Sequence, residues 1–150
     1  VSFDYSQVHN IKDLQDLKKF WASFLPHLDG RCILLLSGDV GAGKTTSVQI
    51  IADLLGLKNV QSPSFAIHLR YENTQGKSMD HIDLYRLKDE DDLESSGFWD
   101  IFAQKSGLVV IEWAQRLDYD YLPLNWERVE VTLKKSLTSD TERTLTTRVV

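Results

Sequence analysis

Cysteine is nearly missing from this 150-residue sequence, with Cys32 standing alone. One thiol cannot close an intrachain disulfide, and with no C-x-x-C partner it cannot begin a zinc site. Placed inside the apolar run "RCILLL", it reads as a buried, inert thiol whose usage suits a reducing compartment. Long apolar runs are missing too. None approaches the roughly 20 residues that span a bilayer, so no membrane partner is expected. The stretch "VSFDYSQVHN" lacks the basic-then-apolar pattern of a secretory leader, and the expected location is cytoplasmic. There is no basic excess. The net charge is −5, which argues against a stand-alone nucleic-acid binder and against DNA as a partner, while leaving contact with nucleic acid through another protein open. Repeats, low-complexity tracts and linkers are absent as well, so the whole of 1–150 is expected to form a single domain.

What is present suits an ordered chain. A hydrophobic fraction of 42% supplies a core and a charged fraction of 26% is ordinary for a folded protein. From Asn10 to Leu25, Ile11, Leu14, Leu17, Phe20, Trp21 and Phe24 recur at helical spacing, predicting a helix capped by Asn10 and ended before Pro26. Arg31 to Leu36 reads as a buried strand, and Thr45 to Leu55 as a helix stopped by Gly56. Phe65 to Tyr71 alternates, "NTQG" is a turn, and "SMDHIDLY" returns as a second strand. "KDEDDLESSGFWDIF" reads as helical with a break near Gly97, its acidic run Asp89 to Asp92 a solvated helix start. "GLVVIEW" is a continuous apolar run suited to a central strand buried on both faces. Two alternating strands near Arg128 to Leu133 and Arg143 to Val149 close the chain. The fold class is therefore α/β: a sheet with parallel core strands and antiparallel additions, of the P-loop NTPase kind.

That last assignment comes from "SGDVGAGKTT", which fits G-x-x-x-x-G-K-[ST] through Gly38, Gly43, Lys44 and Thr45. Glycines here let the backbone curl with its N–H groups inward, making a nest for anions from Val40, Gly41, Ala42 and Gly43 through Thr46. The following helix adds the positive end of its dipole. Lys44 can reach the β- and γ-phosphates, and the Thr45 hydroxyl is a hard oxygen donor for Mg2+. The strand before and helix after are the confirming context.

Such a loop needs a carboxylate for the magnesium ion or the attacking water. Asp83 in "HIDLYR" and Glu112 in "VVIEW" both end strands, and Glu112 closes the more apolar one. His81 has no second histidine nearby and reads as structural. "SPSF" offers Ser62 and Ser64 around a rigid proline, either as a γ-phosphate sensor or as a plain turn. No N-K-x-D motif is present, so ATP is favoured over GTP. A small-molecule kinase, a GTP-dependent switch and a non-catalytic module remain alternatives, although no arginine-rich lid segment is evident.

Taken together, "GDVGAGKTT", "SPSF", "HIDLYRL", "LESSGFWDIF" and "LVVIEWAQRL" resemble the TsaE family, also called YjeE. The resemblance implies a P-loop ATPase serving formation of N6-threonylcarbamoyladenosine in tRNA, with ATP and Mg2+ as cofactors. It implies the TsaD–TsaB pair as partners, tRNA met indirectly through that complex, and ATP hydrolysis that is weak alone and resets the complex between turnovers. Carried over residue by residue, Lys44 and the backbone from Val40 to Thr46 hold phosphates. Thr45 and Glu112 look after the metal, Asp83 is the strand-end aspartate needed for activity, and Trp113 lies close to nucleotide or partner. Ser64 stands where the family usually has threonine, and Ala114 where proline is common.

Overall fold

The run "RCILLLSG" forms a strand because its side chains alternate between two apolar layers. Ile33 and Leu35 point to one, Cys32, Leu34 and Leu36 to the other, and all five are fully buried. The computed structural model describes residues 7–28, 30–61, 68–85, 89–95, 97–103 and 107–150. Their elements are β1 (Gln7–Ile11), α1 (Leu14–Phe24), β2 (Arg31–Gly38), α2 (Lys44–Leu54), β3 (Lys58–Gln61), β4 (His68–Glu72), β5 (Ser78–Asp83), α3 (Glu90–Ser95), β6 (Gly107–Glu112), β7 (Glu127–Lys135) and β8 (Arg143–Val149).

Among the described residues the strands make one eight-stranded sheet in the order β1-β8-β7-β2-β6-β5-β4-β3. The pairs β5–β6, β6–β2 and β2–β7 are parallel, while β1–β8, β8–β7, β5–β4 and β4–β3 are antiparallel. The expected parallel core with antiparallel additions is thus what the chain forms. One face carries α1 and α2 over Trp21, Phe24, Leu34, Val48, Ile51 and Val131. The other is closed by Ile33, Leu35, Phe98, Ile101, Ile111 and Trp126. Trp21 is fully buried and meets Phe20 and Phe24 edge-on at 4.9 and 6.0 Å. Burying one such side chain contributes about 1.5–3 kcal/mol.

The first helix begins later than its periodicity predicts. Asn10 and Ile11 belong to β1, paired with Thr144 and Arg143 of β8. The cap is Asp13, whose Oδ1 accepts from the Asp16 amide at 3.0 Å, while Asp16 Oδ2 accepts from the Lys12 amide at 3.0 Å. This reciprocal arrangement satisfies two amide donors at the helix start. Ile11 is buried in either reading, so burial pattern alone could not separate strand from helix there. β3 was not foreseen. The turn after β4 is as expected, with Asn73 accepting the amides of Gln75 and Lys77 at its side chain. Gly97 breaks the helical stretch at φ +78°, between α3 and a 3-10 turn at Phe98–Ala103.

Candidate phosphate-binding site

β2 ends against β7, and this contact dictates a glycine. At Gly38 φ is +143°, and a Cβ would lie 2.3 Å from the Leu133 carbonyl oxygen. Gly43 caps α2 at φ +113°, a left-handed conformation available to glycine without steric cost. No side chain caps that helix, so its first-turn N–H groups are open to an anion. The loop between borders a cavity of about 340 Å³, lined on the loop side by Val40, Gly41, Gly43, Lys44, Thr45 and Thr46. Asp83, Tyr85, Glu112 and Trp113 form its other wall. Gly38 and Ala42 stand outside that lining. Gly38 offers its carbonyl to Lys44, and Ala42 is buried with its amide donating to the Asp39 carbonyl.

Lys44 is the only buried lysine among the described residues. Its Nζ donates to the carbonyl oxygens of Gly38 at 2.5 Å and Asp39 at 2.8 Å. It also lies 4.2 Å from the centroid of the Trp113 ring. Burial pushes the ammonium below the ordinary lysine range. The carboxylates of Glu112, Asp39 and Asp83 oppose that shift without cancelling it, and Lys135 adds to it.

Glu112 is held at both oxygens. The Thr45 hydroxyl donates to Oε1 at 2.7 Å, and His81 Nε2 lies 2.5 Å from Oε2. Burial alone would raise this carboxyl. The hydrogen bonds from His81 and Thr45, with the charges of His81 and Lys44, outweigh it and hold Glu112 below its ordinary value. An ionised carboxylate only accepts, so the proton of this bond sits on His81 Nε2. Asp83 pairs with Glu112 in register between β5 and β6 and is half exposed, accepting the Tyr85 amide at Oδ1.

Trp113 follows Glu112 at φ +58°, the one non-glycine residue with positive φ among those described. Such a conformation costs about 1–3 kcal/mol and is kept where surrounding contacts impose it. Here the ring covers Lys44 and meets Tyr85 at 5.0 Å, with the Arg116 guanidinium over both aromatic faces at 5.7 and 6.0 Å. The donor set suits a hard divalent cation beside phosphate: a hydroxyl and a carboxylate in contact, under an ammonium and an uncapped helix start.

A family model described as "Threonylcarbamoyl adenosine biosynthesis protein TsaE" matches residues 11–145. The chain belongs to the TsaE family. The relative from Bacillus subtilis, named tRNA threonylcarbamoyladenosine biosynthesis protein TsaE, is 34% identical over 138 residues, 91% of this chain and 80% of that protein. The relatives of the same name from Haemophilus influenzae and Aquifex aeolicus are 39% identical over 101 residues and 37% over 105 residues. These matches take in 66% and 68% of this chain, and 63% and 72% of the respective relatives. The crystal structure of Bacillus subtilis YdiB superposes with a TM-score of 0.68 at 25% identity, covering 97% of this chain and 86% of that one. The TsaE relatives are thus named for tRNA modification.

Within this TsaE frame, the residues singled out in the sequence meet around one cavity, apart from Gly38 and Ala42 behind the loop and Ser64. Ser64 and the rest of "SPSF" lie outside the described residues. Tyr85, which lines the cavity, was not foreseen. His81, read as structural, is satisfied by a direct contact with Glu112, a partner that the sequence reading did not name. The two-residue spacing of His81 and Asp83 was the available signal, since it puts both on the sheet face that Glu112 shares. Among the described residues, no helix is long and apolar enough to cross a membrane.

Proposed function

We propose that this TsaE chain binds ATP with Mg2+ and hydrolyses it in the service of N6-threonylcarbamoyladenosine formation on tRNA. The observation that carries this reading is the 2.7 Å contact between the Thr45 hydroxyl and Glu112, placed beside Lys44 at an uncapped helix start. Bound magnesium would supply positive charge to the phosphate oxygens in flight. The chain's own residues supply the rest. Backbone N–H groups from Val40 to Thr46 and the Lys44 ammonium hold the β- and γ-phosphates. Thr45 and Glu112 are the metal's protein ligands. His81 keeps Glu112 oriented by occupying its second oxygen. Asp83, half exposed beside Glu112, is the carboxylate placed to orient the attacking water. Trp113 closes one side of the phosphate site, and Ser64 serves as a γ-phosphate sensor.

In this reading residues 1–150 act as a single P-loop ATPase domain in the cytoplasm. The partners are TsaD and TsaB. Hydrolysis resets their complex, and tRNA is met through them. The acidic net charge of −5 supports that division, since the chain itself offers little for a phosphate backbone.

The test is phosphate release from ATP by the chain alone and with purified TsaD–TsaB. Slow release alone and faster release with the pair is the expected result. Equal rates for the parent and Lys44→Ala, with and without partners, would remove the ATPase assignment. A phosphorylated small-molecule product would move the chain to the kinases.

A further inference from the structure

The outer side of the phosphate loop is held by a residue far away in the chain. Arg143 opens β8, in register with Ile11 of β1 and Lys135 of β7. Its Nε donates to the Ala42 carbonyl oxygen and its Nη2 to the Gly41 carbonyl oxygen, both at 3.2 Å. Its Nη1 donates to the carbonyl oxygens of Asp140 and Glu142, both at 2.9 Å. One guanidinium therefore ties two successive loop peptides to the turn between β7 and β8. Only arginine carries donors in a rigid fork that can do this.

The consequence follows from peptide planarity. In a trans peptide the C=O and the next N–H point in opposite directions, and the described residues contain no cis bond. With the Gly41 carbonyl turned to Arg143, the Ala42 N–H faces away, and it donates to the Asp39 carbonyl at 3.1 Å to close the turn. With the Ala42 carbonyl turned to Arg143, the Gly43 N–H faces the other side, and Gly43 lines the cavity. A loop rich in glycine has many competing conformations, and these two bonds select the one with its amide turned inward.

We propose that Arg143 is a positioning residue for phosphate binding: by holding the carbonyls of Gly41 and Ala42 outward, it turns the Gly43 amide into the nucleotide site. Arg143 does not line the cavity itself, and through it the β7–β8 hairpin becomes part of the binding apparatus. This deepens the nucleotide reading above and rests on it for its binding arm.

The test compares the full chain with Arg143→Ala, Arg143→Lys and Arg148→Ala. Arg148 lies on the same strand but pairs with Glu130 and serves as the control. Two readouts are taken: the Gly43 amide resonance in a 15N-labelled sample, and MgADP affinity by calorimetry, with thermal melting alongside. In the two Arg143 variants the Gly43 amide should shift even without nucleotide. MgADP affinity should fall about tenfold or more, the size of a hydrogen bond to a charged group. Arg148→Ala should bind as the parent does. Should Arg143→Ala fail to fold, Arg143→Lys, which keeps charge and stem but loses the fork, decides alone. MgADP affinity within about twofold of the parent in a folded Arg143 variant overturns the proposal. A parent that binds no MgADP sinks the nucleotide reading instead, and the Gly43 resonance then decides the positioning role: unmoved in Arg143→Lys, it overturns that role too.

Discussion

The ammonium of Lys44 lies 4.2 Å from the centre of the Trp113 ring while its hydrogen bonds go to the carbonyls of Gly38 and Asp39. A lysine meant only for packing would not need three acceptors of this kind in a buried place. The contact holds the charge against an aromatic face and two backbone dipoles, which phosphate oxygens would replace in the nucleotide reading proposed above.

Nucleotide binding should therefore be visible in Trp113. Drawing the ammonium from the ring towards phosphate changes the field on the indole, so intrinsic fluorescence should change on titration with MgADP. The chain has four tryptophans, and Trp113→Phe should abolish most of the signal while leaving the fold intact. An undiminished signal in that variant would place the reporter elsewhere.

Binding should also weaken at alkaline pH earlier than an ordinary lysine would cause. Burial lowers the Lys44 value below 10.5 in the free protein, and phosphate binding favours the charged form. MgADP affinity should fall as pH rises through the lowered value, with proton uptake on binding in that range. Calorimetry in two buffers of different ionisation enthalpy measures the uptake. Lys44→Ala should bind more weakly and show none of it.

Glu112 has the opposite sign. Its folded-state value lies below 4.5, so the stabilisation it contributes is fully present above 4.5 and is lost as pH falls through the lowered value. Urea unfolding across the acid range should show this loss, and Glu112→Gln should flatten it. The same variant should still bind nucleotide but hydrolyse slowly, because a neutral amide would replace the carboxylate proposed to hold the metal. His81→Ala should keep the fold and lose about 10–100-fold in magnesium affinity, as expected when the partner orienting a ligand is removed. Magnesium titration of nucleotide binding checks both.

Gly38→Ala should be among the most damaging single-atom additions in the chain. The new Cβ meets a backbone oxygen at 2.3 Å on a residue at φ +143°, and neither can yield without separating β2 from β7. The expected destabilisation is at least about 1–3 kcal/mol, measured by urea denaturation. Gly56→Ala, with open space around its Cβ but φ +67°, should be milder.

How much of this was legible depends on how far apart the interacting residues stand. The loop from Gly38 to Thr46 could be read directly, because its demands are local: backbone torsions, a lysine within reach, a helix that begins at once. The strands could be read where a continuous apolar run or strict alternation left one choice. Helix α1 was misread at its start because Ile11 is buried in both conformations, and only pairing with Arg143 across the sheet makes it a strand.

By itself, then, the sequence determined that a glycine-rich turn of phosphate-loop pattern joins a buried strand to a helix, and that acids close two further strands. The sequence also favoured Glu112 as the acid beside the turn, but the contact itself was decided by tertiary structure. Parallel pairing of β2 with β6 puts Glu112 opposite Leu36 and within a hydrogen bond of Thr45, 67 positions away. The same pairing network brings His81 to that carboxylate and Arg143 behind the loop. Strand order and register are set by the packing of whole layers, and no local pattern in the chain encodes them.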